Sequence, residues 1–217
     1  PGWPRSSKPA TWHGAATLVL LPCFLLGMWR AKVLVPRSEG WRSLLRPGMP
    51  LAWRTSLGLG RLALLATALG LIGGGATILA VGMTSVFVPQ DLAYMGLAAT
   101  DFEAINPRLV PLIAHDRAGF GGGVVTCGVL VLFCVWCGRP SRSLWQALFV
   151  AGTIGFSTAI GVHPLIGYTD VVHLGPAVLG GVSFIMGVAL TWRPMTRSGA
   201  QHNRVAAMDS SFAAKHS

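Results

Sequence analysis

Leu62 to Val88 reads LALLATALGLIGGGATILAVGMTSVFV, 27 residues without one charged side chain. As a helix it would be about 40 Å long, against a bilayer hydrocarbon core of about 30 Å. A membrane span is the reading. The excess length predicts a tilt, a kink near Gly73-Gly74-Gly75, or a projection beyond the bilayer.

The same signature recurs on either side. Uncharged apolar runs occur at Gly119–Gly138 and Leu144–Val162, and another extends from about Val171 to Trp192. A shorter run at roughly Thr11–Trp29, containing Pro22, precedes them. In the last four runs His173 is the sole ionisable side chain apart from the Cys thiols. A charge at the centre of a span costs about 2.5–3.5 kcal/mol on insertion scales, so the lack of charge marks these runs as spans and argues against an ion pathway through mid-bilayer. Composition agrees. Of 217 residues, 52% are hydrophobic and 11% charged, where a soluble domain carries about a quarter charged. The 28 glycines suit helices that pack closely in lipid. The fold class is all-α: an integral membrane helical bundle of about five transmembrane spans.

The formal net charge of +10 would suggest nucleic acid in a soluble protein. Here no basic and aromatic surface is interleaved into a groove, so no nucleic-acid partner is expected, and the basic residues instead obey the loop rule for orientation. Arg30, Lys32, Arg37, Arg42, Arg46, Arg54 and Arg61 lie between the first two spans, Arg139 and Arg142 between the third and fourth, and Arg193, Arg197, Arg204 and Lys215 after the last. These three regions alternate onto one side, the cytoplasmic one. The other side holds Arg5, Lys8, Arg108 and Arg117 with most of the acids, Asp91, Asp101, Glu103, Asp116 and Asp170. Trp29, Trp136, Trp145 and Trp192 fall at the expected cytoplasmic boundary, as an interfacial belt does. The pattern is that of a multi-pass protein of the bacterial inner membrane, with its N-terminus outside and its C-terminus in the cytoplasm. Residues 1–10 form an outer segment, 11–196 the transmembrane domain, and 197–217 a polar, disordered cytoplasmic tail. The chain starts at Pro1, which reads as a fragment or a processed product, and nothing near Arg5 and Lys8 reads as a cleavable signal.

The outer segment 89–118 is expected to carry one or two short interfacial helices. Thr100-Asp101-Phe102-Glu103 has capping-box spacing, with Thr100 as N-cap and Glu103 reaching back. Pro107 and Pro111 are expected to break the rest of the segment into short pieces.

Polar residues that carry chemistry gather on this side. His115-Asp116-Arg117 precedes the third span, His163 ends the fourth, and Tyr168, Asp170 and His173 open the fifth. All sit at one membrane level. His115, Asp116, Arg117, His163, Tyr168, Asp170 and His173 are the candidate ligand-binding residues. His115, His163, Asp170 and His173 are the candidates for a metal. Histidines and acids at one depth suit a metal ion, a haem or a quinone head group. A structural role competes: Asp170 or Thr169 caps the fifth span, histidines meet water or a carbonyl, and Arg117 pairs with Asp116 or a lipid phosphate.

Cys127, Cys134 and Cys137 share one helical face, and Cys134-Val135-Trp136-Cys137 is formally a C-x-x-C. In an apolar helix near the cytoplasmic end, packing is the expected role. Gly70 and Gly74, Gly119 and Gly123, Ala151 and Gly155, and Ala177 and Gly181 have the four-residue spacing that lets helices approach closely. The glycines at 119 and 121–123 are followed by no Gly-Lys-Ser/Thr, and no G-x-S-x-G or H-E-x-x-H occurs, so neither a phosphate loop nor an ordinary hydrolase is supported.

The segments FVPQDLAYMGL, INPRLVPLIAHDRAGFGGG and IGVHPLIGYTDVVHLGPA, within Phe87–Pro176, resemble an uncharacterised family of bacterial membrane proteins, some of them labelled dihydroorotate dehydrogenase. The resemblance covers about half the chain. It implies membrane residence and company with a flavin dehydrogenase that feeds quinones, and it carries over no catalytic residue. The chain has no room for the soluble flavin-binding barrel of such dehydrogenases.

The function expected is therefore a membrane-embedded binding or accessory module with its site at the outer-face cluster. A membrane redox component with a b-type haem, metal or quinone site, partnering a flavin dehydrogenase, is the alternative. A structural membrane anchor is the third. The lipid bilayer is the certain partner, with a homo-oligomer also to be considered.

Overall fold

The computed structural model describes residues 19, 22, 23, 26 and 45–215. Most of the first expected span, Thr11–Trp29, and all of segment 1–10 lie outside the described residues; Val19, Pro22, Cys23 and Leu26 are helical. The chain divides into two compact units, Pro1–Leu45 and Arg46–Ser217. The second holds the helical bundle.

The described part is all helical, with no strand: α1 (Ser56–Met83), α2 (Pro89–Met95), α3 (Ala99–Ile105), α4 (Leu109–Trp136), α5 (Arg142–Ile166) and α6 (Val171–Lys215). Four helices are long and apolar enough to cross a membrane: α1, α4, α5 and the Val171–Arg197 part of α6. Each extends beyond its uncharged run at one end or both, although α1 stops at Met83, short of Val88. Helix propagation needs only backbone hydrogen bonds and a suitable cap, so the apolar boundary is not the helix boundary. Arg61, His115, Asp116, Arg117, Arg142 and His163 therefore lie inside helices rather than in loops. The caps explain the true ends. Thr55 Oγ1 accepts from Gly58 N at 3.1 Å, and Ser141 Oγ accepts from Leu144 N at 3.2 Å. Gly167, at φ 77°, ends α5 in the left-handed conformation that only glycine adopts cheaply. Pro111 does not break the chain: it sits in the first turn of α4, where its missing N–H costs nothing. At its far end α6 runs on to Lys215, through the stretch expected to be an unstructured tail; its alanines, Gln201 and Arg204 are good helix formers.

In the bundle α1 lies between α4 and α6, and α5 packs on α6. The glycines that permit the close approach of α1 and α4 are not the four-spaced pairs. A Cβ on Gly75 would lie 2.6 Å from Val125 N, on Gly121 2.5 Å from Leu79 N, and on Gly128 2.8 Å from Ile72 N. On Gly82 it would lie 2.8 Å from Ala118 N. Gly75 and Gly82, like Gly121 and Gly128, are seven apart. That is two helical turns, the repeat that tracks the seam of a left-handed crossing, whereas four-residue pairs track a right-handed one. Gly70, Gly74, Gly119, Gly123 and Gly155 have nothing within 4 Å of such a Cβ. Of the expected pairs, Gly181 does meet a neighbour, Ile160 of α5 at 3.2 Å.

One end of the bundle holds a core of Leu64, Leu65, Val135, Trp145, Leu148, Phe184, Val188 and Met195. The Trp145 ring meets Trp192 edge-on at 4.4 Å and donates Nε1–H to Val188 O at 2.9 Å. Trp136 packs against the same core. At this end Arg61 is only 3% exposed. Its Nη1 donates to Met49 O at 3.1 Å and its Nη2 to Val135 O at 3.1 Å. Val135 is in the last turn of α4, where carbonyls lack helical partners and the helix dipole favours a cation. Arg61 thus ties the 49–50 segment to the end of α4. Arg61→Met keeps the stem but leaves these carbonyls unpaired. It is expected to lower stability by about 2–3 kcal/mol, the scale of hydrogen bonds to a charged group, measured by unfolding in detergent.

Candidate functional site

The site lies at the opposite end, and its depth follows from the tryptophans. Arg117 precedes Trp136 on α4 by 19 residues, His163 follows Trp145 on α5 by 18, and His173 precedes Trp192 on α6 by 19. At 1.5 Å per residue each lies about 27–29 Å along its helix from the tryptophan level, close to the thickness of a hydrocarbon core. The three residues therefore share one level of the bundle.

Asp91 organises this level. It is 5% exposed and accepts three hydrogen bonds: from Arg117 Nη2 at 2.6 Å, Tyr168 Oη at 2.8 Å and its own cap residue Val88 N at 3.1 Å. One carboxylate so joins α2, α4 and the α5–α6 turn. The Arg117 guanidinium also lies over the Phe87 ring, 5.8 Å from its centroid, and Phe87 stacks on Phe102 of α3 at 4.7 Å. Val86, which leads into this segment, has φ 64°, a costly conformation for a β-branched residue. It is held there by its N–H bond to Val81 O at 2.8 Å and by burial of the next side chain, Phe87.

Around the carboxylate stand four rings. Tyr168 lies 4.8 Å from Tyr94, 4.7 Å from His173 and 6.1 Å from His163, and the two imidazoles are 5.4 Å apart. The Tyr94 hydroxyl donates to Ile166 O. His163 Nδ1 bonds Ala159 O at 2.7 Å. Among the described residues, neither His163 Nε2 nor either ring nitrogen of His173 has a hydrogen-bond partner.

Of the candidate residues, Arg117, His163, Tyr168 and His173 come together here. Asp170 stands beside them but caps α6, accepting from His173 N at 2.8 Å. His115 and Asp116 do not join. Successive helical residues project about 100° apart, so neighbours of Arg117 face elsewhere; the pair meet each other at 3.2 Å with side chains 84% and 72% exposed. The metal set is accordingly dispersed. Among the described residues no group of three or more His, Cys, Asp or Glu is placed to hold a metal ion, whereas resident zinc sites use three or four protein ligands. Cys127 and Cys134 are exposed on α4 and Cys137 is half-buried, so the first two are not core packers.

Two contributors escape a reading by motif. Asp91 and Tyr94 lie in α2, within the outer segment expected to carry short helices, and match no motif. The available signal was the helix start Val88-Pro89-Gln90-Asp91, with Pro at the first helical position and an acid two residues on. The same device recurs in α3, where Asp101 Oδ2 accepts from Ala98 N at 2.7 Å. That helix starts before the expected Thr100 cap, and Asp101 takes the role assigned to Glu103.

Burial pushes the Asp91 carboxyl upward, but bonds from Val88, Tyr168 and Arg117 outweigh it and hold the group below its ordinary value. Burial, then the Asp91 and Asp170 carboxylates, push the Tyr168 phenol up to about 12. The two shifts act at opposite ends of the pH scale. The depressed Asp91 contributes stability that is present above about pH 4, its unfolded value, and is lost as pH falls through its folded one. The raised Tyr168 contributes stability that is present below about pH 10 and is lost as pH rises to about 12. Unfolding midpoints against pH are expected to fall at both ends, and Tyr168→Phe to flatten the alkaline fall.

An all-helical bundle with four helices of membrane-spanning length, and a polar-aromatic cluster at one end, defines a multi-pass membrane protein. No family model, no curated protein and no solved structure matches the chain.

Proposed function

We propose that the protein is an integral membrane binding module whose ligand meets the face built by His163, His173, Tyr168 and Tyr94, with Asp91 and Arg117 as its internal frame. One observation carries this reading. Asp91 spends its hydrogen bonds inside the protein, while the imidazole edges next to it are left open. Ionisable groups at membrane depth that neither pair nor cap are the ones expected to face a ligand.

The site faces outward. Arg46, Arg54, Arg61, Arg139, Arg142 and Arg193 lie at the tryptophan end, and no acid occurs from residue 40 to 90, from 117 to 169 or from 171 to 208. That is the charge bias of a cytoplasmic face. With a span at Thr11–Trp29 the chain crosses the bacterial inner membrane five times, N-terminus outside, and α2 and α3 lie along the outer surface.

The pairing of His163 with His173 keeps a second reading in view: a redox component holding haem, metal or quinone beside a flavin dehydrogenase. One preparation separates the binding module from the haem and metal versions of that reading. Protein purified in mild detergent is extracted for mass spectrometry, analysed for metal, and scanned for absorption, alongside His163→Ala. The binding module is expected to yield a stoichiometric organic molecule that the variant lacks. A Soret band or stoichiometric metal that the variant lacks would establish the redox reading instead, and identical contents in both proteins would leave the cluster a structural anchor.

A further inference from the structure

The tautomer of His163 narrows the ligand class. A carbonyl oxygen only accepts, so the bond to Ala159 O fixes the proton of the neutral ring on Nδ1 and leaves Nε2 as a bare lone pair. The hydroxyl hydrogens beside it are already spent. Tyr168 donates to Asp91 and Tyr94 to Ile166 O. The nearest cation, Arg117, is paired with Asp91. The face therefore presents the His163 acceptor nitrogen, the imidazole of His173, unpartnered among the described residues, with one N–H and one lone pair, and aromatic surfaces, but neither a free phenol donor nor an unpaired cation.

That set discriminates among ligands. An anionic head group finds no uncompensated charge here. A metal ion finds two imidazoles and no third ligand. A neutral flat group that donates an O–H finds both an acceptor and rings to lie against. Apolar surface is exposed at this end as well: Leu165 and Val172, within two residues of the histidines in sequence, are 86% and 70% exposed.

We infer that this site takes the hydroxylated aromatic head group of a lipid-dissolved amphiphile, of which a hydroquinone is the simplest example. One hydroxyl donates to His163 Nε2 and the ring lies against Tyr168 and His173. The apolar tail extends from the ring into the bilayer. Binding is the whole of the inference; no electron transfer is required. It rests on the ligand-binding reading above and specifies what that ligand is.

The test uses a decyl-substituted benzohydroquinone and its dimethyl ether, which has the same ring and tail but no O–H. Each is titrated anaerobically into delipidated protein, and binding is read by calorimetry. The hydroquinone is expected to bind, with the ether and the His163→Ala variant each about tenfold weaker, the scale of one lost hydrogen bond. Equal affinity for hydroquinone and ether on the unaltered protein would overturn the inference, whatever the fate of the variant. Should neither probe bind while the purified protein still yields an organic molecule that His163→Ala lacks, the ligand class is wrong and the binding reading stands. Should neither probe bind and nothing be extracted, both fall.

Discussion

Gly121→Leu is expected to destroy the pairing of α1 with α4. A Cβ at position 121 already lies 2.5 Å from Leu79 N and 2.8 Å from Gly75 O. Both are backbone atoms of a continuous helix and cannot rotate away, so the whole helix must move. Overpacking that flexible side chains absorb costs about 1–3 kcal/mol, and a backbone clash exceeds that range. The loss is expected to be more than about 3 kcal/mol, and the variant to run as aggregate on size exclusion. Gly119→Ala is the control. Two residues away on the same helix, it has nothing within 4 Å of the new Cβ. It is expected to be neutral or to stabilise by about 0.5–1 kcal/mol, because alanine is the better helix former. If both variants behave alike, α1 and α4 do not meet along the Gly75–Gly82 and Gly121–Gly128 seam.

Asp91→Ala is expected to have the next largest effect. It removes the one acceptor shared by Arg117, Tyr168 and Val88, and leaves a guanidinium and a phenol unpaired on a largely dehydrated surface. Breaking one side of a buried ion pair costs about 3–5 kcal/mol; partial hydration of Arg117 puts this case near the bottom of that range, about 3 kcal/mol. Asp91→Asn keeps the shape and one acceptor oxygen but loses the charge, and is expected to cost about half as much. Thermal unfolding in detergent measures both. Because the pair also pins α2 against the bundle, proteolysis between Pro89 and Ile105 is expected to quicken in the alanine variant.

The last four spans and the gathering of polar groups at one end were legible because they arise from a one-dimensional pattern, runs without charge separated by charged turns. The Asp170 cap was legible for a similar reason, since Asp170 and His173 N are local. What could not be read depends on azimuth around a helix or on partners far apart in sequence. The four-spaced glycines are as good a signal as the seven-spaced ones until the crossing is known. His115, Asp116 and Arg117 are consecutive, and only the direction of packing shows that Arg117 alone turns inward. Asp91 was one acid among several until Arg117, 26 residues on, and Tyr168, 77 residues on, were seen to meet it. Arg61 looked like a loop charge because an uncharged run began just after it.

A clamp and a binding face share this cluster, and measuring occupancy and stability together separates them. Unaltered protein, His163→Ala and His173→Ala are purified, their bound organic molecules quantified, and each then stripped of lipid and unfolded by heat. The histidine variants are expected to lose the bound molecule yet melt, once stripped, within about 1 kcal/mol of stripped unaltered protein, as surface substitutions outside structural networks do. Full occupancy in both variants, or a loss of stripped stability as large as that of Asp91→Ala, would contradict the assignment and make the histidines part of the clamp.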